Sequence, residues 1–322
     1  VAAAQRILLT GATGQDGSYL VDQLSGEGHE IHALVRQADR PPADERVQWI
    51  LGDLADPPSL TRVVDEVEPD VVFNLAGISS VAFSWDQPLA TVEVSGTAVA
   101  ALVDASWRLQ ERTGRIVRFV QASSSEIFGS AIESPQTEMT PLRPASPYGA
   151  AKALGHNLMG IYRSRGMQAS SAILYNHESP RRPETFVTRK ITARVARIAT
   201  GLEETLQLGN LESRRDWGWA PDYVDAMVRM SRAASADDYV IATGRTHSVR
   251  DFAEAAFVRA GVFDWQDRLQ VDDRFKRPAD VAEMRGDPHR AGTNLGWSPT
   301  RTFEDVVGAM VDHDLALIRA AM

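Results

Sequence analysis

The chain has 322 residues, 43% of them hydrophobic and 24% charged, and a formal net charge of −9. That length supports a sizeable core and more than one subdomain, while the acidic balance argues against a general nucleic-acid binder. With no cysteine in the sequence, disulfides, thiolate metal sites and cysteine nucleophiles are excluded. No apolar run stands out as a bilayer span, and the opening VAAAQR runs into a strand without a signal peptide. The expectation is a cytoplasmic protein with no membrane partner.

Arg6-Ile-Leu-Leu-Thr10 is a short apolar run, followed by Gly11-Ala-Thr-Gly14-Gln-Asp-Gly17 and a helical pattern. Strand, glycine turn and helix in that order point to dinucleotide binding. Gly11 and Gly14 allow a tight turn and close backbone approach to phosphates, and Gly17 allows the helix to pack on the strand. The next strand, Glu30-Ile-His-Ala-Leu-Val-Arg36, ends in an arginine where an NAD site would place a carboxylate. Arg36 favours NADP, Asp39 nearby keeps NAD open, and a solvated surface charge is the alternative reading of Arg36.

A third strand ends at Gly-Asp53-Leu54, with an acid where an adenine amino group would be met. Asp70-Val-Val-Phe-Asn-Leu-Ala-Gly77 is nearly all apolar, as a strand covered on both faces should be. A long helix is expected near 87–112, then the strand Arg115-Ile-Val-Arg-Phe-Val-Gln-Ala-Ser-Ser-Ser-Glu126, which runs out into hydroxyls and an acid. Ligands of an open parallel sheet lie beyond its carboxyl ends, so these exits are expected along one edge.

Ser146-Pro-Tyr148-Gly-Ala-Ala-Lys152 begins a helix that Ser146 can cap and Pro147 can open. Tyr148 and Lys152, four apart, share a face. The helix N-terminus and the ammonium both favour a phenolate, so a phenol ionising near neutral pH is expected. Such a phenol takes a proton from a sugar hydroxyl while a nicotinamide takes the hydride. A surface tyrosine on an ordinary amphipathic helix is the alternative.

A sixth strand covers 169–176 and leads into His177-Glu-Ser-Pro-Arg-Arg182, where the regular alternation ends. Helices are expected at 186–200, 222–234 and 303–319, a short strand at 204–209 and a buried strand at 238–244. This third of the chain carries Arg181, Arg182, Lys190, Arg194, Arg214, Arg215, Lys276 and Arg277. Such a cluster fits a second phosphate-bearing ligand, although about half of these residues should simply form surface ion pairs. The seven histidines show no paired metal-ligand spacing, so no metal site is expected.

Together these segments resemble the extended short-chain dehydrogenases/reductases, and in finer detail the GDP-mannose 4,6-dehydratase family. The resemblance rests on Thr10-Gly-Ala-Thr-Gly-Gln-Asp-Gly17, Gln121-Ala-Ser-Ser-Ser-Glu126, Ser146 to Lys152, Asn176-His-Glu-Ser-Pro-Arg-Arg182, Phe186-Val-Thr-Arg-Lys-Ile191, Arg215-Asp-Trp-Gly218, Val240-Ile-Ala-Thr-Gly244 and Arg277-Pro-Ala-Asp-Val281. It implies an α/β fold with a Rossmann-type doubly wound parallel sheet and a smaller mixed α/β substrate domain. The NADP-binding domain would be 1–175 plus 222–245, and the nucleotide-sugar domain 176–221 plus 246–322.

The resemblance also implies NADP bound by Gly11, Gly14, Gln15, Asp16, Gly17, Arg36, Asp53, Leu54, Leu75, Ala76, Gly77, Ser79, Tyr148, Lys152, His177 and Arg182. GDP-mannose would be held by Ser79, Ser124, Asn176, Val187, Lys190, Gly209, Arg215 and Arg277, with Ser124, Glu126, Tyr148 and Lys152 catalytic. The implied reaction oxidises carbon 4 of the hexose, eliminates water across carbons 5 and 6 with Glu126 as base, and returns the hydride to carbon 6.

Several positions depart from the family pattern. Ser124 stands for a threonine, Ile78 for an amide, Ala90 for a tyrosine and Asp280 for a glutamate. Ile78 and Ala90 would favour the alternative of another nucleotide-sugar dehydratase, epimerase or reductase. After Arg36 the chain reads Gln37-Ala-Asp-Arg-Pro-Pro instead of RRSS and a longer insert. In the family that insert reaches a neighbouring subunit and its NADP. A homodimer or homotetramer is therefore expected, with the tetramer weakened.

Overall fold

The computed structural model describes residues 4–36, 43–272, 274 and 281–321. Residues 37–42, with Asp39, and the expected ligands Lys276 and Arg277 lie outside the described residues. Six strands lie within the first 175 residues, with described helices following β1, β3, β4 and β5: β1 (Arg6–Thr10), β2 (Glu30–Val35), β3 (Val47–Leu51), β4 (Val71–Asn74), β5 (Arg118–Ala122) and β6 (Gln168–Leu174). With Asp238–Ile241 they form one parallel sheet in the order β3-β2-β1-β4-β5-β6 and then Asp238–Ile241. The chain winds outward from β1 to β3, then returns to start β4 on the other side of β1. That reversal opens a crevice at the carboxyl ends of β1 and β4, where ligands of such sheets bind.

Helices cover both faces. α1 (Gln15–Gly26) packs with the later helix Ala220–Arg232 on one side, and α2 (Pro57–Val67) with the long helix near 88–113 on the other. Ile7 and Leu9 of β1 point into the first core and Leu8 into the second. A strand buried on both sides is mostly apolar, which is why β1 reads as a nearly unbroken run ending in Thr10. A third core, with Ile191, Val195, Phe252, Phe257 and Met310, is built from the C-terminal segments.

The expected long helix is α3 (Val81–Asp86), α4 (Pro88–Val92), a π turn at Glu93–Thr97 and α5 (Ala98–Thr113). An 18-residue window within Pro88–Thr113 has mean hydropathy 1.3, so by length and composition this 26-residue run could cross a membrane. This corrects the expectation that no such run exists. Its apolarity has another use, because Val99, Leu102, Val103 and Leu109 fill the second core. The π turn, unexpected from the sequence, aims Ser95 at the exit of β4, where its hydroxyl accepts the Ile78 N–H at 3.0 Å.

Gly17 is required by packing. A Cβ there would lie 2.1 Å from the Gly11 carbonyl oxygen and 2.7 Å from Ala12 Cα, both backbone atoms that cannot move aside cheaply. A Cβ on Gly26, in the last turn of the same helix, would meet nothing within 4 Å. Gly17→Ala should therefore cost about 1–3 kcal/mol, and Gly26→Ala should be neutral or stabilising by up to about 1 kcal/mol. Urea denaturation of the two variants checks this, and equal midpoints would show that α1 does not pack on the turn as described.

Candidate active site

The glycine turn presents an uncapped helix. Gly14 takes the N-cap position of α1 and offers no side-chain hydrogen bond to the first turn. Gly11 sits at φ +76°, and a Cβ there would lie 2.9 Å from the Ala76 nitrogen. The turn therefore packs against the exit of β4 with the helix N–H groups left for an anion, as a dinucleotide pyrophosphate requires.

At the exit of β5, Ser124 N-caps a short 3₁₀ turn (Ser125–Ile127), accepting the Glu126 N–H at 3.2 Å. Helix α6 (Pro147–Ser164) starts beside it, with Ser146 accepting the Gly149 N–H at 3.0 Å and Pro147 in its first turn. A Cβ on Gly149 would fall 2.5 Å from the Glu126 carbonyl oxygen. Only a glycine lets the first turn of α6 lie against the Glu126 backbone, which sets Tyr148, Ser124 and Glu126 around one point.

Tyr148 is 7% exposed and Lys152 is 6% exposed. Lys152 Nζ stands 5.8 Å from the centre of the tyrosine ring and donates to the Ala122 carbonyl at 2.8 Å. Burial pushes the phenol up to about 12, against a hydrogen bond with Ser124, while the Glu126 charge pushes in the same upward direction. Burial pulls the ammonium down to about 8, opposed by the charge of Asp16. This corrects the expectation of a phenol ionising near neutral pH. Desolvation outweighs what the helix N-terminus and the lysine supply.

Gln15, Asp16 and His177 form a joint rather than an open cleft wall. Gln15 Nε2 donates to the His177 carbonyl at 3.0 Å, and its Oε1 accepts from Ser179 Oγ at 2.9 Å. His177 Nδ1 lies 2.7 Å from the Tyr175 carbonyl and Nε2 lies 2.8 Å from Asp16 Oδ2. A carbonyl and an ionised carboxylate can only accept, so the two contacts are both met when the ring is protonated on both nitrogens. It stacks on Tyr223 at 4.6 Å. Burial would raise the Asp16 carboxyl, but the charge and hydrogen bond of His177 and the charge of Arg182 bring it below its ordinary value. Burial would lower His177, but Asp16 raises it.

Asn176 and His177 open β7 (Asn176–Glu178), which runs parallel to Trp217–Trp219. Val187 begins α7 (Val187–Ala199), Lys190 lies one turn on, and Gly209 follows the short strand Leu206–Leu208. Arg215 is 8% exposed and donates through Nη1 to the carbonyls of Arg214 and Val281. Beyond β3, Asp53 Oδ1 accepts the Ala55 N–H at 2.9 Å, while Arg36 is exposed at the end of β2. Leu75, Ala76, Gly77 and Ser79 line the β4 exit, and a Cβ on Gly77 would lie 3.9 Å from Lys152 Nζ.

Several of the expected phosphate-binding arginines are engaged elsewhere. Arg181 pairs with Asp22 and covers the Tyr19 ring, Arg182 covers Phe186 and lies 3.3 Å from Glu178, and Arg194 pairs with Glu203. Arg214 lies between Asp251 and Glu283. Asp216 is a further buried carboxylate, accepting the N–H groups of Thr243 and Gly244 and the Thr243 hydroxyl. Its only signal in the sequence was a place inside the Arg215-Asp-Trp-Gly218 block.

A glycine turn on an uncapped helix, beside a buried Tyr-xxx-Lys pair at the carboxyl edge of a doubly wound sheet, defines an enzyme of the extended short-chain dehydrogenase/reductase type. Residues 8–310 match the family model described as GDP-mannose 4,6 dehydratase. The chain is 43% identical to GDP-mannose 4,6 dehydratase 2 of Arabidopsis thaliana, over 97% of this chain and 87% of that one. Among solved structures, UDP-glucose 4-epimerase of Thermus thermophilus, in complex with NAD, superposes with a TM-score of 0.83 at 26% identity, covering 98% of this chain and all (100%) of that one. RMD from Pseudomonas aeruginosa, complexed with NADPH, gives a TM-score of 0.78 at 24% identity over 98% of this chain and 100% of that one. The chain belongs to the GDP-mannose 4,6-dehydratase family.

The Asp16–His177 pair has a defined pH window. Asp16, lowered from 3.8, contributes stability above that value and loses it as pH falls through its folded pKa. His177, raised from 6.5, contributes below that value and loses it as pH rises through its folded pKa. His177→Gln removes the hydrogen-bonded cation of a buried carboxylate and should cost about 3 kcal/mol between roughly pH 4 and 6.5, with the difference shrinking above. Thermal melts of both proteins across pH test this, and a pH-independent difference would show that the pair is not ionic.

Proposed function

We propose that this chain converts GDP-mannose to GDP-4-keto-6-deoxymannose through a bound nicotinamide dinucleotide, taken as NADP. The observation that carries the reading is the convergence of Ser124, Glu126 and Tyr148, enforced by the contact of Gly149 with the Glu126 backbone. A dehydrogenase or epimerase needs the tyrosine and lysine, whereas a carboxylate at the same point suits proton abstraction from a carbon next to a ketone. The family membership and the relatives' printed activity support the substrate.

The uncapped N-terminus of α1, with the Gly11 turn against Ala76, fits a pyrophosphate. Arg36 would meet a 2′-phosphate, and Lys152, beside Gly77, would hold the nicotinamide ribose. When bound, the dinucleotide would supply a hydride acceptor for carbon 4 and a hydride donor for carbon 6. Tyr148, hydrogen-bonded to Ser124, takes the proton of the carbon-4 hydroxyl. Glu126 removes the proton from carbon 5, made acidic by the new ketone, and delivers it to the departing carbon-6 hydroxyl, which leaves as water; as carbon 6 gains hydride, the proton held by Tyr148 returns to carbon 5. The sheet with its helices would carry the dinucleotide, and the unit built on the third core would carry the nucleotide sugar through Asn176, Val187, Lys190, Gly209 and Arg215.

Glu126→Gln keeps the size and hydrogen bonding of the side chain but cannot accept the carbon-5 proton. Added GDP-mannose should then produce near-ultraviolet absorbance of a trapped reduced cofactor, with 6-deoxy product falling at least about 100-fold. Wild-type product formation in this variant would remove Glu126 as the base.

The proposed assembly is a homodimer at least. Leu154 and Ile161 of α6 are 43% and 55% exposed, and Trp85 of α3 and Leu89 of α4 are 47% and 85% exposed. Helix α6 packs on α3, α4 and α5, and the apolar side chains that these helices leave exposed are the surface proposed to pair. Light scattering should give a dimer mass, and Leu154→Glu with Ile161→Glu should give a monomer. A monodisperse wild-type monomer at working concentration would overturn this assignment.

A further inference from the structure

Thr10, Asn74 and Gln121 occupy one rung of the sheet, Thr10 being the register partner of Asn74 and Asn74 that of Gln121. Two residues earlier, on the same face, stand Leu8, Val72 and Phe119, all 0% exposed and all in the second core. The polar rung is equally dry, with Thr10 0%, Asn74 1% and Gln121 1% exposed. Three polar side chains at such depth are costly unless every group is paired.

They are paired in series. Thr10 Oγ1 donates to Asn74 Oδ1 at 2.6 Å, Asn74 Nδ2 donates to Gln121 Oε1 at 2.7 Å, and Gln121 Nε2 donates to the Ala122 carbonyl at 2.9 Å. That carbonyl is the acceptor of Lys152 Nζ. At the other end, Thr10 Oγ1 accepts the N–H groups of Leu75 at 3.1 Å and Ala76 at 3.0 Å. The direction is forced. With its lone pairs occupied by two backbone N–H groups, the Thr10 hydroxyl must donate, so Asn74 turns its oxygen to Thr10 and its nitrogen to Gln121. Gln121 then has only its nitrogen for the Ala122 carbonyl.

We propose that this rung positions Lys152, with Gln121 as its last member: it fixes the Ala122 carbonyl that holds the ammonium and ties it to the Leu75–Ala76 turn. Gln121 and Asn74 are positioning residues acting through Lys152. The proposal rests on Lys152 belonging to the reacting site. A purely stabilising rung would hold the sheet together without governing where the ammonium sits.

The chain contains three lysines, so selective ¹³C,¹⁵N-lysine labelling gives a spectrum simple enough to follow Lys152, assigned by its loss in Lys152→Met. In the cofactor-free wild type, Lys152 should show one sharp side-chain signal. Gln121→Met should broaden or split that signal and leave Lys190 unchanged. Turnover should fall about tenfold with KM for GDP-mannose within about twofold, because a displaced ammonium affects the reacting geometry more than substrate affinity. Thr10 makes no direct contact with Lys152, so Thr10→Val should disturb the same signal and Thr10→Ser should restore it. An unchanged Lys152 signal and turnover in folded Gln121→Met, or in folded Thr10→Val, would overturn the proposal. If neither broken variant folds, the wild-type signal decides, since a lysine averaging over rotamers is not being held. Lack of wild-type turnover would instead count against the dehydratase reading and leave the lysine signal as an independent test.

Discussion

The ammonium of Lys152 is buried at the carboxyl edge of the sheet, and much of the site follows from the need to hold it there. An isolated buried ammonium is strongly disfavoured, and a protein meets that cost by pairing it or by lowering its pKa. Both occur here. The Ala122 carbonyl accepts its hydrogen bond, Asp16 supplies negative charge nearby, and burial still brings the group down to about 8. Tyr148, buried beside it and up at about 12, is moved in the opposite direction. The resting pair is thus a protonated phenol next to a weakened ammonium. Positive charge beside the phenol would lower its pKa.

Asp16 also links two regions that are far apart in sequence. It lies in the first turn of α1, where it complements the helix dipole, and it pairs with His177 in the segment that leaves the sheet for the third core. Gln15 doubles the link through the His177 carbonyl and Ser179. A shift of the glycine turn therefore carries the Asn176–Glu178 strand with it. Two segments assigned to separate units from sequence are thus hydrogen-bonded to each other at this point.

The existence and rough positions of the sheet strands were legible because strands buried on both faces are mostly apolar, as in Arg6-Ile-Leu-Leu-Thr10 and Val71-Val-Phe-Asn74, whereas the run read from Arg115 to Glu126 is a strand only over Arg118–Ala122. The start of α6 was legible because its cap and proline are local signals. The ionisation of Tyr148 was not legible, since a helix N-terminus and a lysine can be read from spacing while burial depends on the whole fold. Arg181 and Arg194 look like ligands in a basic cluster and turn out to pair with Asp22 and Glu203, a matter of tertiary proximity. The polar rung left a trace in the sequence, because the apolar runs of β1, β4 and β5 each carry a polar residue at or next to their ends. Its meaning depends on a register between strands separated by 64 and 47 positions.

Asp16 and Asp216 show what decides the sign of a buried carboxylate's shift. For each, burial is the largest single influence and acts upward. Asp216 is met by dipoles, the Thr243 hydroxyl and backbone N–H groups of Thr243, Gly244 and Gly286, and stays up at about 6. Asp16 is met by the charges of His177 and Arg182 as well as hydrogen bonds, and ends below its ordinary value. Full charges at hydrogen-bond range reverse desolvation here where dipoles do not. The consequences for stability are opposite. Asp16 favours folding above its unfolded pKa, whereas Asp216 binds its proton more tightly when folded and so favours folding most below its unfolded pKa, losing that contribution as pH rises through about 6. At neutral pH the fold therefore carries a carboxylate at a net electrostatic cost, next to Arg215, at the point where the Thr243–Gly244 turn and Gly286 converge. Holding those segments together around one acceptor is what that cost maintains.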